Sequence, residues 1–310
     1  MKNIRVSVVI PLYNERDSIP ELLAGIRKAL TGKYVFEILC IDDGSTDGSF
    51  DVLRQEKKKS KEAIMTLVRF RKNSGKSAAL AEGFARASGD IVVTLDADLQ
   101  DDAAEIPNLI RVLDGGYDLV VGWRKKRQDS RGKLTVSHVF NRSVSIFSGI
   151  HLHDMNSGLK AMKREVSSGI QLYGELHRYI PVLAHALGFR ITEVPVSHHP
   201  RKYGNSKFGF ERILASFDLV SVLFLQGYGT RPFVIFGPPG MVLIFIGFIV
   251  LMYLSVLHFL GEPIGTRPIL LFGVLAVIFG LQLISIGLLS ELVTKSGIRN
   301  EKRPVAQVIT

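Results

Sequence analysis

Cysteine is almost missing from this chain: Cys40 is the single one among 310 residues. That count excludes an internal disulfide and any cysteine-built metal cage. Cys40 lies in the apolar run Ile38–Ile41, where a small core residue is expected. Charge is missing from two long stretches. Neither Pro232 to Gly261 nor Pro268 to Ser290 contains Asp, Glu, Lys or Arg. Each exceeds the roughly 20 residues that carry a helix across a bilayer, so two transmembrane helices are expected, at about 235–260 and 268–290. The link between them is too short for a domain, which makes the pair a hairpin with both ends on one side. Lys295, Arg299, Lys302 and Arg303 follow the hairpin, against the single Arg267 in its loop. The positive-inside rule then puts both termini, and everything before the hairpin, on the cytoplasmic side of the plasma (inner) membrane. His258 is the one Asp, Glu, Lys, Arg or His in either expected span, so a polar transport path has no support. Residues 1–10 hold only a short apolar run, and a signal peptide is not expected.

Other absences narrow the function. No Gly-x-Gly-x-x-Gly follows the first strand-like run, which weakens a dinucleotide dehydrogenase. Gly75-Lys76-Ser77 imitates the end of a P-loop, but Phe70 stands where that motif needs glycine, and the P-loop is rejected. No nucleic-acid recognition motif appears. The net charge of +10 therefore points to lipid headgroups and phosphates.

What is present is alternation. Strand-like runs at Arg5–Ile10, Phe36–Ile41, Met65–Val68, Ile91–Leu95 and Leu119–Gly122 are separated by helix-like segments. Those segments lie near Ser18–Leu30, Asp47–Lys59, Ser77–Ala87 and Ala103–Asp114. Continuous apolar strands between helices argue for a mostly parallel sheet covered on both faces, a Rossmann-like α/β domain. Residues 133–150 and 207–228 change character. In the second, Phe208, Phe210, Ile213, Leu214, Phe217, Val220 and Phe224 recur near helical spacing. That stretch reads as an amphipathic helix in the bilayer interface, with packing on the sheet as the alternative. The expected organisation is a cytoplasmic α/β domain over 1–206, a juxtamembrane amphipathic helix over 207–231, the hairpin over 232–292 and a basic tail over 293–310.

The chemistry clusters where strands end. Leu95-Asp96-Ala97-Asp98-Leu99-Gln100 follows the fourth strand-like run, at the carboxyl edge where open α/β sheets bind ligands. Two carboxylates one residue apart suit a hard divalent cation, Mg²⁺ or Mn²⁺, that bridges to a diphosphate; a solvated acidic loop is the plainer alternative. Pro11-Leu12-Tyr13-Asn14-Glu15 ends the first strand and Asp42-Asp43-Gly44-Ser45 the second. Asp42 and Asp43 can accept from a base or ribose, Gly44 permits a tight turn, and Tyr13 can stack on a base. The same residues also make a good turn and helix cap. Further on come Asp154-Met155-Asn156-Ser157-Gly158-Leu159-Lys160 and the cationic His199–Lys207 stretch, the latter suited to a phosphate at the membrane surface.

In order, residues 8–15, Asp42-Asp43-Gly44-Ser45, Asn73-x-Gly75 with Gly83, Ala87 and Gly89-Asp90, Asp96-Ala97-Asp98-Leu99-Gln100 and Arg201-x-x-Gly204-x-Ser206-Lys207 resemble family 2 glycosyltransferases. Within them the chain is most similar to the polyprenyl-phosphate branch, the dolichyl-phosphate mannose synthases and bacterial undecaprenyl-phosphate glucosyltransferases. Any one motif is weak; five in order are specific. The resemblance implies a GT-A fold, a UDP- or GDP-sugar donor with UDP-glucose favoured, Mg²⁺ or Mn²⁺, a membrane polyprenyl phosphate acceptor (undecaprenyl or dolichyl) and a homo-oligomer such as a tetramer. It implies that Pro11, Tyr13, Glu15, Asp42 and Asp43 line the nucleotide site. Asp96, Asp98 and Gln100 would hold the metal and donor diphosphate, with Ala97 between them. Arg124 and Arg201 match basic positions near the phosphates, and Lys207 closes the Ser-Lys motif. The stretch 124–142 aligns loosely, which leaves open which of Lys125, Arg127, Arg131 and Arg142 meets the lipid phosphate. Asp154 matches the family's Asp-x-x-Ser-Gly acid, as a base or as an orienting group. The expected reaction is an inverting hexosyl transfer. A processive polysaccharide synthase would carry Gln-x-x-Arg-Trp downstream, yet the only tryptophan is Trp123. A catalytically inactive nucleotide-binding scaffold is the rival outside enzymes, and a different membrane acceptor the rival within them.

Overall fold

The computed structural model describes residues 5–59, 64–125, 150, 152–200, 202–203, 233–265, 267–296 and 305–309. The chain divides into two compact units, Met1–Val222 with Lys302–Thr310, and Leu223–Glu301.

The first unit is built on one sheet. Its strands are β1 (Arg5–Leu12), β2 (Val35–Asp42), β3 (Ile64–Phe70), β4 (Ile91–Thr94), β5 (Leu119–Trp123), β6 (Lys160–Lys163), β7 (Ile191–Pro195) and β8 (Val305–Ile309), in spatial order β7-β5-β6-β4-β1-β2-β3-β8. β1 to β4 pair in parallel, as do β5 and β7. β6 runs antiparallel between β4 and β5, and β8 antiparallel along β3. The parallel half is what the apolar runs predict. In β1, seven of eight residues are buried, because helices cover both faces and leave no solvent side.

Helices α1 (Ile19–Leu30), α2 (Ser49–Lys59), α3 (Lys76–Arg86) and α4 (Ile106–Asp114) follow the first four strands. α1 buries Ile19, Leu22, Leu23, Ile26, Ala29 and Leu30, a single stripe at helical spacing. With α4 it packs on the face presented by Val6, Val8 and Ile10. α3 packs on the opposite face, where Ala79, Leu80 and Phe84 join Val9, Leu39 and Ile41. The same second core includes Tyr179 and residues of α5 (Arg164–Gly169) and α6 (Ile180–Ala186). The motif-bearing loops after β1, β2 and β4 are thus anchored at both ends in close-packed structure, and the loops themselves lie at the rim.

The second unit is two long helices, α7 (Phe233–Phe259) and α8 (Pro268–Ser296). Phe236–Phe259 and Pro268–Ser290 have mean hydropathies of 2.7 and 2.6 and are long and apolar enough to cross a membrane. Glycines form their seam. A Cβ on Gly280 would stand 2.6 Å from the Gly240 carbonyl oxygen, and one on Gly240 would stand 2.7 Å from that of Gly280. The outward residues, Phe245, Phe248 and Phe272 among them, are exposed. That is the arrangement of helices that pack by close backbone approach and turn their bulk to lipid. The 133–150 stretch, apart from Ile150, and the expected interface helix over 207–231 lie outside the described residues.

Candidate active site

The ends of β1 and β2 are bolted to each other by their own loops. Asn14, at φ 53, takes a left-handed turn that asparagine tolerates better than most side chains. Its amide donates to Ser45 Oγ (2.8 Å) and its Oδ1 accepts from the Thr46 amide (2.8 Å). Beside it the Glu15 amide donates to Ser49 Oγ (3.0 Å). Pro11 is buried and Tyr13 and Glu15 are half-buried. Asp42 is fully buried; Oδ1 accepts from the Ser45 amide (3.0 Å) and Oδ2 lies 3.5 Å from Arg69 Nε. Asp43 accepts from the amides of Ser74 (2.6 Å) and Gly75 (2.9 Å) on the loop after β3. Burial pushes both carboxyls up, and their hydrogen bonds pull them part of the way back. Gly44, at φ 72, lets these loops touch: a Cβ there would sit 2.7 Å from the Lys72 carbonyl carbon. Only glycine meets both conditions.

The Asp96–Gln100 segment leaves the end of β4 in a second tight bend. Leu99 has φ 61, a conformation that costs a branched residue on the order of 1–3 kcal/mol and that clusters at functional sites. The Gln100 amide donates to Asp98 Oδ1 (3.2 Å), and the Gln100 carbonyl accepts from the His199 amide (2.8 Å). Asp96 is partly exposed and meets Lys76 Nζ at 2.6 Å. Burial would raise the Asp96 carboxyl, but Lys76 first, then Lys160 and Arg124, outweigh it and hold the group below its usual range.

A third group stands beside these at the end of β5. Arg124 Nε donates to Asp154 Oδ2 (2.6 Å) and a terminal nitrogen to Oδ1 (2.9 Å), with a further bond to the Asn156 carbonyl (3.3 Å). The carboxylate is buried and the guanidinium nearly so, and this two-point grip fixes the plane of the guanidinium. Gly158 packs flat on the carboxylates; a Cβ there would come 2.4 Å from Asp96 Oδ2 and 3.0 Å from Asp101 Oδ2. Thr94 Oγ1 donates to the Gly158 carbonyl (2.8 Å), and the buried Lys160 ammonium donates to that of Ser157. Burial first, then Lys76 nearby, brings Lys160 down to about 8.

The structure therefore brings Asp96, Ala97, Asp98, Gln100, Arg124 and Asp154 to the sheet edge that also carries Pro11, Tyr13, Glu15, Asp42 and Asp43. Arg127, Arg131, Arg142, Arg201 and Lys207 lie outside the described residues. Sequence reasoning passed over Lys76. In the sequence Lys76 reads only as part of the rejected P-loop, although it directly follows the Asn73-x-Gly75 element of the motif set. It also passed over the Ser77–His177 pair, in which Ser77 Oγ lies 3.0 Å from both His177 Nδ1 and the His177 amide nitrogen. Nothing in a one-dimensional pattern joins residues a hundred positions apart.

Residues 7–170 match the family described as Glycosyl transferase family 2. The chain is 33% identical over 312 residues to the dodecaprenyl-phosphate galacturonate synthase of Rhizobium johnstonii, covering 98% of this chain and 92% of that one. It is 37% identical over 291 residues to the undecaprenyl-phosphate 4-deoxy-4-formamido-L-arabinose transferase of Klebsiella pneumoniae, covering 93% and 87%. Among solved structures, glucosyl-3-phosphoglycerate synthase from Mycobacterium tuberculosis, in complex with Mn²⁺, UDP-glucose and phosphoglyceric acid, superposes with a TM-score of 0.54 at 20% identity, over 72% of this chain and 79% of that one. That likeness is one of fold, a GT-A sheet domain. The ordered motifs, the sheet that gathers them at one edge and the near-full-length relatives agree: this chain belongs to glycosyltransferase family 2 and is an enzyme of its polyprenyl-phosphate branch.

Proposed function

We propose that the protein transfers the sugar of a nucleotide-diphosphate sugar to a membrane polyprenyl phosphate, with inversion at the anomeric carbon. The observation that supports this best is the cluster at the end of β4 and β5, where two carboxylates, an ammonium and a clamped guanidinium meet. That is the charge pattern a sugar diphosphate requires. Asp96, Asp98 and Gln100 offer hard oxygen atoms fit for Mg²⁺ or Mn²⁺. Among the described residues no three His, Cys, Asp or Glu side chains form a ready cage. This suits a cation held by one or two carboxylates and completed by substrate phosphates. When bound, it supplies positive charge against the departing diphosphate.

The chain's own residues do the rest. Lys76 brings an ammonium to the same carboxylate, and Arg124 brings a guanidinium whose plane Asp154 fixes. An acceptor phosphate oxygen attacks the anomeric carbon while the bond from that carbon to the diphosphate oxygen breaks, and the nucleoside diphosphate leaves with the electron pair. A phosphate is already anionic at neutral pH, so no strong base is required. Asp154, with both oxygens on Arg124, is read as an orienting group. Tyr13 and Glu15 face the nucleotide, with Pro11, Asp42 and Asp43 shaping its loop. Arg201, Arg127, Arg131, Arg142 and Lys207 are assigned to the donor and lipid phosphates on the resemblance. The apolar hairpin keeps the enzyme at the bilayer, with both termini on the cytoplasmic side of the inner membrane and a homo-oligomer as its assembled form.

The test is a donor panel on protein in lipid with undecaprenyl phosphate and Mn²⁺ or Mg²⁺. Labelled UDP-glucose, UDP-galactose, UDP-GlcNAc, UDP-galacturonate and GDP-mannose are supplied in parallel. Metal-dependent, lipid-extractable label from one donor is the expected result, lost in a folded Asp96→Asn variant. Near-wild-type transfer by that variant would sink the assignment. Nucleotide binding without product from any donor would favour another membrane acceptor or an inactive scaffold.

A further inference from the structure

We infer that the C-terminal strand β8 is part of the nucleotide end of the site and sets its affinity. This rests on the donor-site reading above. α8 ends at Ser296, and after the link that follows it the chain re-enters the first unit's sheet at Val305. There β8 pairs antiparallel with β3, Leu67 with Ile309, Val68 with Val308, Arg69 with Gln307 and Phe70 with Val305. The ladder slips between Arg69 and Phe70, and Ala306 is passed over. Such a bulge re-aims the strand beside it.

The residue at the slip is the one that matters. Arg69 lies 3.5 Å from the buried Asp42, donates to the Ser45 carbonyl at 3.2 Å and stands 5.2 Å over the Phe50 ring. Directly after Phe70 comes the loop whose Ser74 and Gly75 amides hold Asp43. In the first unit β8 is the last strand on this side of the sheet. Without it β3 becomes the edge, and an edge strand with open amides frays first. Loosening β3 moves Arg69 and the Ser74–Gly75 loop together, and with them the two aspartates at the nucleotide end. The stretch that sequence alone reads as a basic tail over 293–310 is thereby coupled to the donor pocket.

Linkage gives the test in the unmodified protein, because a ligand that needs β8 in place must in turn hold β8 in place. Amide exchange is followed in lipid-embedded protein with Mn²⁺ and with UDP or GDP as probe. Nucleotide is expected to slow exchange at Val305–Ile309 as well as at Ser74 and Gly75. Truncation after Pro304 should weaken nucleotide binding at least fivefold, with a smaller loss for Val308→Pro. Faster exchange at Ser74 and Gly75 should accompany it. If nucleotide binds but β8 exchange is unmoved, or the truncated protein binds equally well while only β3 amides open, β8 is merely an edge cover and the inference fails. If the unmodified protein binds neither nucleotide, the donor-site reading fails first, and that lane alone tells the two failures apart.

Discussion

Lys76 Nζ lies 2.6 Å from Asp96 Oδ1 and 2.7 Å from Oδ2, so the first carboxylate of the Asp-x-Asp pair is held by an ammonium. On the proposed reading of the site, a cation at this carboxylate would compete with that ammonium, and a donor diphosphate arriving beside it would take the ammonium over, so that the pairing would couple metal and donor binding.

Lys76→Met separates the two effects. Donor-free enzyme should bind Mn²⁺ several-fold more tightly, since the competitor is gone. The donor KM should rise by roughly tenfold to a hundredfold, the worth of about 1.5–3 kcal/mol for a hydrogen bond to a charged group. Mn²⁺ titration by electron paramagnetic resonance, paired with steady-state kinetics, reads both. Unchanged values of the two would show that Lys76 neither competes with the metal nor binds the donor.

The Arg124–Asp154 grip predicts non-additivity. If Asp154 acts by holding Arg124, then Arg124→Ala, Asp154→Ala and the double variant should lose similar factors in kcat/KM. An independent base would make the double loss the product of the single ones. Arg124→Lys keeps the charge but not the two-point geometry, and should recover little. Asp154→Asn should also cost stability, on the order of 3–5 kcal/mol, because it strands a mostly buried guanidinium.

How much of this was legible beforehand depended on where the signal lay. β1 to β5 and their helices were readable because buried parallel strands are apolar without interruption, as in Val-Val-Ile-Pro-Leu of β1. β6 was not readable: Lys160-Ala-Met-Lys163 is four residues with a lysine at each end, and only burial of Lys160 beneath the carboxylates makes sense of it. β8 was hidden in the same way, since Val305–Ile309 sits in a basic tail and its partner β3 is over two hundred residues away. Asp96, Asp98, Asp154 and Arg124 were found by motif; Lys76, and the pairing of Asp154 with Arg124, emerge only when the sheet brings distant loops together.

His177 offers a pH test. It is buried against Ser77, and burial, then Lys76, Arg178 and Lys160, hold its imidazole well below the ordinary 6.5. The folded protein thus keeps it neutral in a range where the unfolded chain binds a proton. Stability must then fall as pH drops below about 6.5, by up to about 1.4 kcal/mol per pH unit, until the folded imidazole also titrates. His177→Gln should flatten that slope between pH 6.5 and 5, although it can lower stability at pH 7.5. Unfolding midpoints of the two proteins across this range decide the matter; parallel slopes would assign the acid sensitivity elsewhere.

The glycine seam of the hairpin yields the last prediction. Gly240 and Gly247 on α7 face Gly280 and Gly273 on α8, and in each pair an added Cβ would stand 2.6–2.7 Å from the opposite carbonyl or crowd its neighbouring side chains. The obstacle across Gly240 and Gly280 is backbone, which cannot rotate away as a side chain would. Gly280→Leu must therefore push the helices apart and forfeit the dispersion contacts that hold apolar helices together in lipid, where no hydrophobic drive replaces them. A loss beyond the roughly 1–3 kcal/mol typical of overpacking is expected. Phe248→Leu on the exposed outer face should be nearly neutral by the same reasoning. Thermal unfolding in detergent, read alongside nucleotide binding, makes the comparison. A Gly280→Leu protein as stable as wild type would mean that the close crossing does not hold the hairpin together.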